Sequence, residues 1–152
     1  MNAKLNLAVK ILILGGMALG LALMVYLTYQ VVIYPCFPAI DGPDEPIWKF
    51  LVSYAFVVIC FVLAEYIAWT LFQMMRSLDG DPFVESNVKA LRNMGVAALV
   101  IMALGLLTLA LRAVPLAVIF ALPIGMCGLF SLVLSGVFAR AVVFKKENDL
   151  TV

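Results

Sequence analysis

Long apolar stretches separated by short polar segments dominate the chain. They lie at about residues 9–33, 49–75, 94–111 and 115–141, and each carries very few charged side chains. An α-helix needs about 20 apolar residues to cross the roughly 30 Å hydrocarbon layer of a bilayer. The pattern therefore predicts an all-α integral membrane protein, a four-helix bundle of two antiparallel hairpins in which residues 1–152 form a single domain.

The first apolar stretch has a competing interpretation as a cleavable signal peptide, because Lys4 and Lys10 precede it. Signal peptides have an apolar region of about 7–15 residues followed by a small-residue cleavage site. This stretch is longer, and no such site follows it cleanly. The sequence therefore favours an uncleaved membrane anchor.

The two connections on the outer side differ in length and stiffness. The first, at residues 34–46, contains four prolines, which favour an extended and stiff connector. The second, at residues 112–115, is so short that the third and fourth spans are expected to be antiparallel neighbours in direct contact.

The polar segment between the second and third stretches predicts a further short helix. Asp81 followed by Pro82 is typical of a helix N-cap and first turn. Val84, Val88 and Leu91 then recur on one helical face, with charged residues on the other faces. We expect a short amphipathic helix that begins at Asp81, lies along the cytoplasmic interface and leads into the third span.

The composition excludes an ordinary soluble domain. Apolar residues make up 66% of the chain and charged residues 12%, whereas soluble domains have about 45–50% and about 25%. One water-soluble core of this size cannot bury so much apolar surface. Lipid must therefore solvate much of it.

The distribution of lysine and arginine predicts the orientation in the membrane. Eight of these cations fall on the side that holds the N-terminus, the connection at residues 76–94 and the tail at residues 142–152, namely Lys4, Lys10, Arg76, Lys89, Arg92, Arg140, Lys145 and Lys146. The other side holds only Lys49 and Arg112. Cytoplasmic segments carry the excess of positive charge. Both termini are therefore expected to be cytoplasmic.

Glu65 is the one ionisable side chain deep within a predicted span. An intramembrane carboxylate is costly and commonly functional. Its candidate neighbours, judged by depth, are the hydroxyls of Ser131 and Ser135, while Gly16 and Gly20 offer a surface for close helix packing. We expect Glu65 to point into the bundle and to bond one of these serines. The alternative is a protonated, structural glutamate without activity.

The sequence lacks the usual side chains of catalysis. It contains no histidine, no glycine-rich phosphate loop and no second carboxylate near Glu65. Its three cysteines, Cys36, Cys60 and Cys127, form no paired ligand set. A net charge of +1 without a basic stripe argues against direct nucleic-acid binding. We therefore expect no enzymatic activity, no cofactor and no metal.

Two segments carry a resemblance to a known family. The first has the pattern Gly-x-Pro-Phe-x-x-x-Asn-Val-x-x-Leu-Arg-x-x-Gly, formed by Gly80, Pro82, Phe83, Asn87, Val88, Leu91, Arg92 and Gly95. The second is the tail of Glu147, Asn148, Asp149, Leu150, Thr151 and Val152. In these two motifs the chain resembles the bacterial membrane family catalogued as domain of unknown function 2975.

The resemblance implies a four-helix protein of the bacterial cytoplasmic (inner) membrane. Members of the family are commonly encoded beside a small helix-turn-helix regulator, which implies a partnership with such a DNA-binding protein. The family pattern places a capping threonine or serine where this chain has Val84. That departure is the reason for placing the predicted helix start at Asp81.

The tail has two interpretations. As an arbitrary polar ending it would be a frayed terminus. As a family motif it is expected to dock against the segment at residues 76–94, or to add as a strand to a partner.

Three functions remain open. The leading hypothesis is a non-enzymatic, multi-pass regulatory protein that binds a cytoplasmic helix-turn-helix transcription factor. The second is a small transporter or channel subunit that uses Glu65 as a proton or cation site and forms a homo-oligomer. The third, a small lipid-modifying membrane enzyme, is disfavoured because the spans lack clustered arginines and polar residues.

Overall fold

The computed structural model describes residues 3–33, 47–77, 83–111 and 117–150. These ranges contain four helices and no strand: α1 (Ala3–Ile33), α2 (Ile47–Ser77), α3 (Glu85–Ala110) and α4 (Ala117–Leu150). Each helix is long enough and apolar enough to cross a membrane. The predicted all-α class with four apolar helices is therefore confirmed.

Helix α3 begins later than the sequence predicts. Val84 is the N-cap residue, with an extended backbone at φ −119° and ψ 150° and no side-chain capping bond. Its carbonyl accepts the backbone N–H of Asn87 at 3.1 Å. A helix that started at Asp81 would have to include Val84, so that prediction is wrong. Phe83, the residue before this N-cap, packs its ring against that of Phe138, with the ring centroids 5.6 Å apart.

The polar residues before the third span belong to α3 itself. A single unbroken helix runs from Glu85 to Ala110, so the residues from Glu85 onward that the pattern assigns to a short amphipathic helix are the first turns of α3. Lys89 and Arg92 are exposed, whereas Leu91 is buried. Whether this first part of α3 lies along the membrane interface stays a prediction.

The helices pack mainly with their neighbours in sequence. The contact between α3 and α4 is the most extensive, followed by α2 with α3 and then α1 with α2. Glu85 at the start of α3 meets Lys146 near the end of α4, and Thr28 of α1 meets Tyr54 of α2. The start of α3 therefore lies beside the end of α4, and the end of α1 lies beside the start of α2. The connections at residues 34–46 and 112–116 lie outside the described residues.

Glycine lets α3 and α4 approach at the level of their backbones. A Cβ on Gly95 would lie 2.8 Å from the Gly128 carbonyl oxygen and 2.7 Å from Leu132 Cγ. A Cβ on Gly128 would lie 2.9 Å from the Gly95 carbonyl oxygen and 2.9 Å from Ala98 Cβ. Neither position has room for a side chain, because each Cβ would clash with a backbone carbonyl oxygen of the other helix, which cannot rotate away as a side chain can.

The same close approach continues along the pair. A Cβ on Gly105 would overlap Ala121, and a Cβ on Gly125 would overlap the side chain of Met102. Small residues at such spacing let membrane helices gain van der Waals contact where lipid removes the hydrophobic driving force. The core of the molecule is therefore the seam between α3 and α4.

Apolar side chains elsewhere face outward. Leu12 and Val25 of α1 are 76% and 70% exposed, and Phe120 of α4 is 70% exposed. Exposed side chains of this size on a helix that spans a membrane meet lipid chains. This explains how a chain with so small a buried core can have so apolar a composition.

We predict that Gly95→Ala lowers the free energy of unfolding by about 1–3 kcal/mol, because the added methyl group forces the two backbones apart. Unfolding by SDS titration in detergent micelles measures the change. Gly16→Ala is the matched control, since nothing lies within 4 Å of a Cβ at that position. The control should be neutral or gain up to about 1 kcal/mol from helix propensity. Equal effects of the two substitutions would contradict the close approach.

Candidate functional site

The end of the molecule where α2 ends, α3 begins and α4 ends holds most of the polar contacts between helices. We call this region the polar junction and define it by Ser77, Asn87, Ser131, Ser135 and the Glu85–Lys146 pair. Phe83 adds an apolar contact to it. Of the described residues of the first family motif, Asn87 belongs to the polar junction, and Leu91 and Val88 contribute backbone carbonyls to it.

Asn87 joins α2 to α3 within the polar junction. It is 2% exposed, and its Oδ1 accepts the hydroxyl proton of Ser77 at 2.8 Å. The same hydroxyl lies 2.7 Å from the Met74 carbonyl oxygen, so one proton is shared between two acceptors. A polar side chain buried this deeply requires such a partner, because an unsatisfied amide in an apolar environment is costly.

Two serines of α4 tie that helix to the backbone of α3. The Ser131 hydroxyl donates to the Leu91 carbonyl at 2.8 Å, and the Ser135 hydroxyl donates to the Val88 carbonyl at 3.0 Å. Both hydroxyl protons are therefore directed to α3. The expected bond between Glu65 and one of these serines is not formed, and that hypothesis is wrong.

Glu65 lies instead against α1. Its side chain is half-buried, and its Oε1 would be 2.7 Å from a Cβ on Gly20. The ring of Phe61 approaches the same point at 3.1 Å. Gly16, one turn earlier, has nothing within 4 Å of its Cβ position. Of the two glycines expected to pack, only Gly20 is in contact with another helix.

The first family motif divides into a packed face and an exposed one. Asn87, Leu91 and Gly95 recur every fourth residue and are all buried against neighbouring helices. Arg92 is exposed. Val88 is half-buried and contributes its carbonyl to Ser135. Gly80 and Pro82 lie outside the described residues.

The end of α4 reaches the start of α3. Lys146 Nζ donates to Glu85 Oε1 at 2.6 Å, and both side chains are 64% exposed. Exposed ion pairs contribute little to stability. This pair therefore marks where the end of α4 lies beside the start of α3 and adds little stability of its own.

The tail motif is helical where the structure describes it. Glu147 and Asn148 are exposed residues of α4, which continues to Leu150. Backbone already hydrogen-bonded within a helix cannot add as a strand to a partner, so that interpretation is wrong for the tail up to Leu150. Thr151 and Val152 lie outside the described residues, and nothing is stated of the Asp149 and Leu150 side chains.

The described part of the chain contains no group of three or more side chains that could hold a metal ion. Cys60 and Cys127 are free thiols, and Cys36 lies outside the described residues. The polar junction is therefore built from hydroxyl, amide and charged groups alone. It can position helices and present charges to a partner.

The sequence did not indicate that backbone carbonyls of α3 accept the hydrogen bonds of Ser131 and Ser135. It also did not indicate that Ser77 donates to Asn87. The spacing of Ser131 and Ser135, one helical turn apart, does signal that both hydroxyls share a face. It does not signal which helix that face meets. The glycines of the seam carry a clearer signal, because Gly95, Gly105, Gly125 and Gly128 stand among apolar residues within spans.

Four long apolar helices, packed through a small-residue seam and exposing apolar side chains, fit a multi-pass membrane protein in contact with bilayer lipid. A comparison with protein families finds a match over residues 28–152 to the family described as "Protein of unknown function (DUF2975)". The match covers most of the chain, and the chain belongs to this family. No curated protein and no solved structure matches it.

We predict that Asn87→Ala lowers the free energy of unfolding by about 1–3 kcal/mol. The substitution removes a buried amide, so the Ser77 hydroxyl loses one of its two acceptors and keeps the Met74 carbonyl. Asn93→Ala on the same helix is the matched control. Asn93 is exposed, so its substitution should change stability by less than about 0.5 kcal/mol. Unfolding curves in the same detergent compare the two. A smaller effect at Asn87 than at Asn93 would contradict the assigned role.

Proposed function

We propose that the protein is a non-enzymatic regulatory protein of the bacterial inner membrane that binds a cytoplasmic helix-turn-helix transcription factor at the exposed end of the polar junction, around the Glu85–Lys146 pair. In this proposal both termini are cytoplasmic, in keeping with the excess of lysine and arginine on their side. The observation that carries it is the Glu85–Lys146 contact. It brings the start of α3 and the tail into one surface.

The length of α4 is consistent with a protein-binding surface that lies outside the bilayer. Its 34 residues extend over about 51 Å at 1.5 Å per residue, whereas the hydrocarbon layer is roughly 30 Å thick. The last turns of α4 therefore lie beyond the hydrocarbon when Ala117 lies at the opposite boundary. A partner would meet a preformed helix at that end.

The chemistry of this end also suits protein recognition. Phe83 is 43% exposed although it packs on Phe138, and Lys89, Arg92 and Glu147 are exposed in the first turns of α3 and the last turns of α4. An exposed aromatic ring among charged side chains is typical of surfaces that bind other proteins. The buried contacts below hold the surface in one shape, which reduces the entropy lost on binding.

We predict that this chain's gene adjoins one for a small helix-turn-helix regulator, as the family resemblance implies. We expect that regulator to co-purify with the detergent-solubilised protein, and deletion of residues 147–152 to abolish the capture. The deleted residues follow Lys146, so the Glu85–Lys146 contact remains. A pull-down quantified by immunoblotting measures the captured fraction.

Gly16→Ala is the control for this pull-down, because nothing lies within 4 Å of a Cβ at that position and α1 contributes no residue to the polar junction. The control should capture as much regulator as the wild type. Capture that survives the deletion, or an absence of capture by the wild type, contradicts the proposal.

A second candidate function, proton or cation transport by an oligomer, is favoured by one observation. The Glu65 carboxylate is half-buried within α2 and lies against Gly20 and Phe61. Among the described residues it forms neither a hydrogen bond nor an ion pair. A carboxylate in a span without a fixed partner is able to exchange a proton or cation.

For this second function we predict a pH-dependent flux in liposomes that is lost in Glu65→Gln, because the amide cannot release a proton. A pH-sensitive dye trapped inside the liposomes measures the flux. Glu147→Gln, which changes an exposed carboxylate of the tail, should leave the flux unchanged. Equal fluxes in wild type and Glu65→Gln would eliminate transport through this residue.

A further inference from the structure

Glu65 lies near the middle of a helix that is long and apolar enough to span a membrane. It is 14 residues after the first and 12 before the last residue of the apolar segment Leu51–Ser77. Its carboxylate is half-buried, and its Oε1 would be 2.7 Å from a Cβ on Gly20 of α1. Val62 and Trp69, on the same side of α2, are 58% and 48% exposed. The carboxyl group therefore lies at the edge of the contact between α1 and α2, next to bilayer lipid.

The groups around this carboxyl supply carbon atoms and no further carboxylate. Gly20 faces it without a side chain, and the Phe61 ring lies 3.1 Å from the same Cβ position. The backbone carbonyls of α1 and α2 accept the hydrogen bonds of their own helices. Helix α1 contains no aspartate or glutamate, Glu65 is the only one in α2, and the single carboxylate of α3, Glu85, is paired with Lys146. These three helices therefore place one carboxylate at this level.

The titratable groups of the helices packed against α2 lie at other levels. On α1, Lys10 is ten residues before Gly20, about 15 Å along the helix, and Tyr26 is six residues after it, about 9 Å. The charged residues of α3 belong to its first turns, which adjoin the end of α2 through the bond between Ser77 and Asn87. The remaining titratable residues of α1, of α3 and of the nearby part of α2 are Tyr29, Cys60, Tyr66, Glu85, Lys89 and Arg92.

A metal cation needs more oxygen atoms than this position supplies. Ca²⁺ and Mg²⁺ take about six to eight oxygen ligands, and K⁺ needs a set of carbonyl oxygens that replaces its hydration shell. A proton needs a single acceptor. The neutral carboxyl that results is far less costly beside lipid than a charged group is. The surroundings of Glu65 therefore suit a proton.

We infer that the ion bound by Glu65 is a proton and that the site excludes Na⁺, K⁺ and Ca²⁺. Uptake of the proton converts the carboxylate into a neutral carboxyl, which can stay between Gly20 and the lipid without a counter-ion. On release, the proton passes to water and leaves the carboxylate charged. This assignment rests on the second proposed function, in which Glu65 is the exchanging group, and it names the ion.

Labelling of the full chain in detergent micelles with dicyclohexylcarbodiimide, an apolar reagent, tests the inference. The reagent consumes a protonated carboxyl: the carboxyl oxygen bonds to the central carbon of the reagent, the proton passes to one of its nitrogens, and the adduct rearranges to a stable N-acylurea. Peptide mapping by mass spectrometry measures the rate at Glu65. We expect this rate to fall about tenfold for each pH unit once the ionised form predominates. It should be the same in sodium, potassium, calcium and choline chloride at equal ionic strength.

Two glycine variants test the position of the carboxyl group. Gly20→Ala places a methyl group 2.7 Å from Oε1, so the carboxyl must move away from α1 towards the lipid, and its labelling rate should rise. The group that must move is the end of a flexible side chain, so we expect the fold to be retained, which thermal unfolding verifies. Gly16→Ala is the matched control and should label as the wild type does, because nothing lies within 4 Å of its Cβ. Glu65→Gln should lose the label from this peptide.

Three results would overturn the inference. Slower labelling in sodium, potassium or calcium chloride than in choline chloride would show that a bound cation protects the carboxylate. An absence of label on Glu65 at every pH would show that the carboxyl takes up no proton within reach of the reagent. Equal rates in Gly20→Ala and Gly16→Ala would remove the contact on which the inference rests. The expected labelling without any flux in liposomes would support the proton site and contradict the transport function alone.

Discussion

The rest of the structure depends on the backbone contact between Gly95 and Gly128. In a bilayer, lipid chains solvate apolar side chains as well as a neighbouring helix does, so helices associate through close packing and polar bonds. Two glycines facing each other let α3 and α4 come near enough for the hydroxyls of Ser131 and Ser135 to reach backbone carbonyls. Larger side chains at the crossing would move those carbonyls out of hydrogen-bond range.

The contacts weaken with distance from this seam. α2 attaches to α3 through the buried amide of Asn87, and α1 attaches mainly to α2, where Gly20 meets Glu65. The molecule therefore has one closely packed pair, α3 and α4, and two helices with less extensive contacts. The proposed binding surface lies at one end of that pair, at the exposed Glu85–Lys146 contact. The Glu65 carboxylate lies in the looser half, where a proton or ion could be exchanged without disturbing the seam.

The sequence predicted the helices well and their mutual orientation poorly. Four apolar stretches indicated four helices, because the thickness of the bilayer constrains length and composition together. The depths of Glu65 and Ser131 in the bilayer were inferred from the same count and stay predictions. Their rotation about the helix axes did not, since each apolar span has little amphipathic asymmetry to say which side meets protein. The start of α3 was also predicted wrongly. The sequence favoured an N-cap at Asp81, but Val84 has an extended backbone and is itself the N-cap residue. The preceding residue, Phe83, packs on Phe138, a contact that the local sequence does not indicate.

The division of the family motif between packing and exposure narrows where binding can occur. Asn87, Leu91 and Gly95 are occupied by contacts within the chain, so their side chains are unavailable to a partner. Their role is to hold α3 at a fixed height and rotation against α4. What remains free to act outside the chain is the exposed edge of the same helix, chiefly Arg92, and the end of α4 that Lys146 holds beside it. Three of the six described motif residues are thus buried and position the surface, and in the proposed function the exposed charges around them supply the recognition.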